Sequence, residues 1–189
     1  MMILSSCKKE VKYYPSKSFF VEYNPIEIII DDLSFQEITD SIRNGLYRKE
    51  KYFIELEDTD FKYKIAPFAD TGGYIRERNG LTIRNDSLDL LKGNFPIDNL
   101  SKYLKLHYEN NDKEYFYASS YKRAFIMLIF EPTDNSRKLK NRMLHTIQVY
   151  NQTNIKNKDS IDFHIMLDYY LDKVYPQAIP RLTPLKKEN

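Results

Sequence analysis

The sequence predicts an α+β domain: a mixed sheet with β-hairpins in its amino-terminal half and about three to four helices packed on it. Three observations carry this. Hairpin signals crowd residues 21–95, amphipathic stretches occupy residues 96–175, and an unbroken apolar run lies within the second region. A chain of 189 residues buries roughly 70% of its unfolded surface, enough for a core without disulfides. Hydrophobic residues at 42% and charged residues at 30% exclude a disordered chain.

The elements follow in order. Ile26-Glu27-Ile28-Ile29-Ile30 is a short β-branched run that reads as a strand. Ser34-Phe35-Gln36-Glu37 has the capping-box spacing, Phe35, Ile38 and Ile42 follow at helical intervals, and Asn44-Gly45 is a stop signal. Two strands, Tyr52 to Leu56 and Phe61 to Ile65, flank Asp58-Thr59-Asp60 as a hairpin. Tyr74 to Arg78 and Leu81 to Arg84 flank Asn79-Gly80, a strong hairpin dipeptide.

Past Pro96 the pattern changes. Pro96-Ile97-Asp98 introduces a helix carrying Leu100, Tyr103, Leu104 and His107. Ala124 to Phe130 is apolar without alternation, as a central strand covered on both faces should be. Ser136 is a plausible cap for a second helix marked by Leu139, Met143, Ile147 and Tyr150. After Asp159, Ile161, Phe163, Ile165 and Leu167 alternate as in a strand, while Phe163 to Val174 also forms a helical stripe; length and the later Leu171 and Val174 favour a helix, with a short strand before it left open, so residues 159–170 read as either. Residues 176–189, with Pro176, Pro180 and Pro184, read as an extended tail. Residues 21–175 divide at 95/96 or form one domain.

Five glycines, with no GxGxxG or GxxxxGK[ST], exclude a Rossmann or P-loop nucleotide site. A net charge of +2 excludes a dedicated nucleic-acid binder. The longest apolar run falls far short of the roughly 20 residues that span a bilayer. Cys7 is the single cysteine, so no cysteine-based zinc site exists. It sits in Leu4-Ser5-Ser6-Cys7-Lys8-Lys9, which resembles a bacterial lipobox. The resemblance implies that the Cys7 thiol takes a diacylglyceryl group and anchors the protein to the membrane. Only Met1-Met2-Ile3 precede the box, so residues 1–20 read as a shortened signal peptide, the lipidation site and a solvated tether.

Ile97 to His107, Phe125 to Phe130, Lys138 to Tyr150 and Val174 to Pro180 together resemble the periplasmic domain of the ExbD/TolR biopolymer-transport family. The resemblance covers about half the chain and implies a binding and dimerising module in the bacterial envelope. Nothing in the sequence matches the family's membrane helix and proton-coupling aspartate, so energy transduction is not implied.

Asp70-Thr71-Gly72 is the tripeptide of aspartic proteases, where two aspartates share a proton and activate water. Pro67 interrupts the strand that should precede it, and Leu91-Lys92-Gly93 is a poor second element. The tripeptide therefore reads as a turn, with Asp70 a remote catalytic candidate. His107, His145 and His164 have no ligand spacing, and His107, at a helix end, suits the dipole when partly protonated. The acidic residues 55–60 lack a calcium loop's length and closing Glu. Tyr13, Tyr14, Phe19, Phe20 and Tyr23 interleave with lysines and read as pins or as an interface; Tyr115, Phe116, Tyr117 and Tyr121 read as a loop packed on the sheet.

The expectation is a non-enzymatic, lipid-anchored envelope protein, facing the periplasm or exterior, that binds an envelope protein or a second copy of itself. No cofactor, metal or nucleic acid is expected. The alternatives are a cytoplasmic interaction or immunity-type protein beginning at Met1, and an Asp70-dependent hydrolase.

Overall fold

The computed structural model of the chain describes residues 9–70 and 77–169. The fold is α+β, with four helices and two mixed sheets among these residues. Cys7, the Thr71-Gly72 of the tripeptide, and residues 170–189 lie outside the described residues.

The smaller sheet contains β1 (Glu10–Tyr14), β2 (Ile26–Glu27), β3 (Tyr52–Glu57) and β4 (Phe61–Ile65), in the order β1-β4-β3-β2. The stretch expected to be a solvated tether is thus a sheet strand, running parallel to β4 from Glu10 against Phe61 to Tyr14 against Ile65. Its aromatics explain the difference. Tyr14 is buried, its ring lies 5.8 Å from that of Phe163, and its hydroxyl donates to Asn151 Oδ1 at 2.9 Å. Helix α1 (Lys17–Tyr23) follows, capped by Ser16 and closed by Asn24 in the left-handed region. The Phe20 ring, 5.5 Å from Phe53, holds α1 to β3.

The β-branched run at 26–30 gives only the two-residue β2, because Ile30 turns into the core and Asp31-Asp32 turn the chain. Helix α2 (Phe35–Tyr47) starts as its capping box requires: Ser34 Oγ accepts from Glu37 N–H, and Ser34 N–H donates to Glu37 Oε2 at 2.8 Å. It does not stop at Asn44-Gly45. Gly45 is buried inside the last turn, where a Cβ would collide with the Tyr52 ring, so the glycine serves close packing. The β3–β4 hairpin forms as expected, with Asp58 Oδ1 accepting from the amides of Asp60 and Phe61, both at 2.9 Å.

The larger sheet has the order β5-β10-β9-β6-β7-β8. Its strands are β5 (Phe68–Ala69), β6 (Gly80–Arg84), β7 (Ser87–Leu90), β8 (Gly93–Pro96), β9 (Phe125–Phe130) and β10 (His164–Tyr169). Asn79-Gly80 is not a hairpin turn. Glu77–Asn79 forms a 3-10 turn, and Gly80 opens β6 beneath the Phe125 ring. The hairpin lies one strand later, where Arg84 pairs with Ser87 across Asn85-Asp86 and Asn85 takes φ 51. A second turn at Leu91-Lys92 adds β8, and the boundary expected at 95/96 falls inside that strand.

Helix α3 (Leu100–Glu109) crosses from β8 to β9, and α4 (Ser136–Gln152) from β9 to β10. β9 pairs in parallel with β6 and β10, and its side chains are almost all buried, as the unbroken apolar run requires. The cap of α4 is Asn135 rather than Ser136: Asn135 Oδ1 accepts from Lys138 N–H, while buried Ser136 donates to the Asp31 carbonyl at 2.8 Å. Residues 164–169, which the sequence leaves open between a helix and a short strand before it, are strand β10. Six residues in register beside β9 outweigh the local ambiguity of a short apolar run.

A buried cluster joins both expected parts of the chain, from Tyr14, Phe35 and Ile54 to Leu104, Ile126 and Phe163. Among the described residues, no helix is long and apolar enough to cross a membrane.

Candidate functional site

Strands β5, β10 and β9 are parallel, so their amino ends share one rim of the larger sheet. A cleft of about 360 Å³ opens there, between that rim and the end of β3. Pro67 helps to make the opening. It has no N–H to continue a ladder, and the chain leaves the small sheet after Ile65 to begin β5 at Phe68. Phe19 from α1, Phe68 and Phe125 supply apolar wall. The Phe68 ring meets Phe125 edge-on at 5.6 Å and the His164 imidazole at 6.3 Å. Burial lowers the His164 pKa, so its ring joins the wall in neutral form.

The polar lining has one sign. Among the described residues, Lys51, Lys122 and Arg123 reach the cleft, and no Asp or Glu does. None of the three cations forms an ion pair with a described residue. Two carboxylates act on lining residues from outside the cleft: Glu50, whose Oε2 accepts from the Tyr52 hydroxyl at 2.7 Å, and Asp162, whose charge opposes the lowering of the His164 pKa. Lys122 and Arg123 project from a 3-10 turn, Tyr121–Arg123, that ends where the apolar run begins at Ala124. Sequence reasoning placed Phe19 among its aromatic candidates. It missed this cleft, although a basic pair abutting a seven-residue apolar run was a usable signal.

Beside the cleft, α1, β2 and the end of α2 expose large apolar side chains. Val21 is 78% exposed and Ile29 77%, with Tyr23, Ile26 and Tyr47 also uncovered. Ile26 and Ile28 donate their amides to the Lys51 and Phe53 carbonyls, at the start of the adjacent β3. The alternate amides of Glu27 and Ile29 therefore face the outer edge, where no described strand pairs. Tyr115 and Phe116, expected to pack on the sheet, are exposed as well, and only Tyr117 of that group is fully buried.

The remaining candidates have structural partners. Asp70 follows β5, and its carbonyl accepts from Arg43 Nε at 2.8 Å. Arg43 also holds Asp40 Oδ1 at 2.5 Å and the Tyr169 hydroxyl at 3.1 Å, tying α2 to the carboxyl ends of β5 and β10. His107 is not a partly protonated helix end. It is almost fully buried, with Nε2–H donating to the Asn79 carbonyl at 3.0 Å and Nδ1 accepting from Ala118 N–H at 3.4 Å. Burial pushes its pKa down to about 4, against weaker opposing contributions from the Asn79 and Phe125 carbonyls.

His145 is lowered by burial and then by the Arg142 charge. Ser119 bonds to Asn79 Oδ1 through its amide and hydroxyl. In the acidic segment, Asp58 is fully occupied as a turn organiser. Its Oδ2 accepts from Tyr63 Oη at 2.6 Å and Gln148 Nε2 at 3.1 Å, and these bonds hold its pKa far below the usual carboxylate range. Among the described residues, no three His, Cys, Asp or Glu side chains are placed to hold a metal ion.

No family model matches the chain, and neither a curated protein nor a solved structure matches it.

Proposed function

We propose that this chain is a non-enzymatic binding module of the bacterial cell envelope, anchored through an acylated Cys7, that engages a protein partner or a second copy of itself. The observation that carries the reading is the clustering of exposed apolar side chains. Five of the eight large ones among the described residues lie between residues 21 and 47, along an open sheet edge. Aromatic and branched side chains beside unpaired strand amides suit a partner that adds a strand and buries its own apolar face. The lipobox-like Leu4-Ser5-Ser6-Cys7 supports the anchor. The chain order hairpin, helix, strand, helix, strand over residues 80–169 supports the likeness to an ExbD/TolR periplasmic module.

Two experiments test the two halves of the proposal. Detergent-phase partitioning of protein expressed from its native gene should place wild type in the detergent phase and Cys7→Ser in the aqueous phase. Both in the aqueous phase would remove the anchor. A photo-crosslinking amino acid at Ile29 should trap one discrete envelope protein or a homodimer, while the same group at exposed Lys113 should not. Identical adduct patterns from both positions would remove the docking face.

A further inference from the structure

The cleft beside this face carries an inference that does not depend on the anchor or on a protein partner. We propose that it is a binding site for a small organic anion with an aromatic body. At about 360 Å³ it sits at the lower end of the range for ligand pockets, so it suits one small molecule. Its wall of Phe19, Phe68 and Phe125 offers ring edges and faces to a flat apolar group, and aromatic pairs favour such edge-on contacts.

The charge argument selects the head group. Lys51, Lys122 and Arg123 line the cleft, and among the described residues no acidic side chain lines it and none pairs with these cations. Three cations of one sign against a low-dielectric wall focus a positive potential on the cavity, which favours a carboxylate and rejects an ammonium. The head group would bond the ammonium and guanidinium at the rim while the ring packs against the wall that the touching Phe68 and Phe125 rings form. Arg123 adds a planar fork that matches a carboxylate.

The test uses three probes with one body: 3-phenylpropionate, 3-phenylpropan-1-ol and 3-phenylpropylammonium, titrated into the full chain and followed by NMR. The expected result is a saturable shift of the His164 imidazole resonances with 3-phenylpropionate. Affinity should be about tenfold weaker for the alcohol and weaker still for the ammonium. Lys122→Glu/Arg123→Glu changes only exposed side chains, so it should fold as wild type by circular dichroism and lose the preference for the anion. Three results would overturn the proposal. One is no saturable shift at His164; another is equal affinity for anion and ammonium in wild type. The third is a shift that follows protein concentration alone, which would make a second copy the occupant.

Discussion

Acidification should destabilise this protein through His107 before its carboxylates titrate. The neutral ring is locked between the Asn79 carbonyl and the Ala118 amide, and a proton on Nδ1 would displace the amide and bury a charge. Its pKa is about 4 in the folded chain against 6.5 ordinarily, so between those values the unfolded state binds the extra proton. The stability is therefore fully present above about pH 6.5 and lost as pH falls toward 4. From about pH 7 to about pH 4.5 the loss is about 2.4 kcal/mol, approaching about 3.4 kcal/mol in stronger acid.

Urea unfolding followed by circular dichroism reads this directly, since about 2.4 kcal/mol is a midpoint shift of about 1 M at a slope of about 2 kcal/mol/M. His145 and His164, both lowered by burial, add losses in the same direction. Asp58, a depressed carboxylate, adds its loss only below its ordinary value of 3.8. His107→Gln separates the terms: whatever its own stability, it should lose less than wild type over the same interval, by about 2 kcal/mol. Equal losses in both proteins would refute the assignment of the acid sensitivity to His107.

Three further outcomes can be checked by thermal or urea denaturation. Tyr108→Phe should leave stability unchanged or raise it by up to about 1 kcal/mol, because the hydroxyl is buried without a hydrogen-bond partner among the described residues. A clear loss would reveal a partner. Gly45→Ala should cost about 1–3 kcal/mol despite the better helix propensity of alanine, since its methyl meets the Tyr52 ring; stabilisation would show that the ring yields freely. Ser34→Ala should cost about 1 kcal/mol by opening the capping box, and an unchanged midpoint would contradict it.

Elements whose signals are local were legible in the sequence. The capping box at Ser34, the Asp58 turn and the unbroken apolar run of β9 each depend on residues within a few positions of one another. Elements decided by distant pairing were not. β1 exists because β4 accepts it and because Tyr14 reaches Asn151; β10 is a strand because β9 offers an open ladder. Asn79-Gly80 misled because its hairpin propensity is overridden by long-range bonds from Asn79 to His107 and Ser119, and by the Phe125 ring over Gly80. The cleft was invisible for the same reason. Phe19, Lys51, Phe68, Arg123 and His164 lie far apart in the chain and meet only when both sheets are in place.

The parallel register of β1 on β4 also bears on the proposed anchor. Cys7 precedes Glu10 by three residues, a covalent reach of at most about 10 Å. Glu10 pairs with Phe61, beside the Asp58 turn, at one end of the small sheet. Tyr52 and Ile26 lie at the opposite end, beyond a six-residue strand about 17 Å long. With Cys7 acylated, the leash is shorter than that strand. The Asp58 turn would then stay near the lipid headgroups, while the cleft and the open β2 edge, at the far end of the small sheet, would be free to swing clear of them, like a hand on a short wrist.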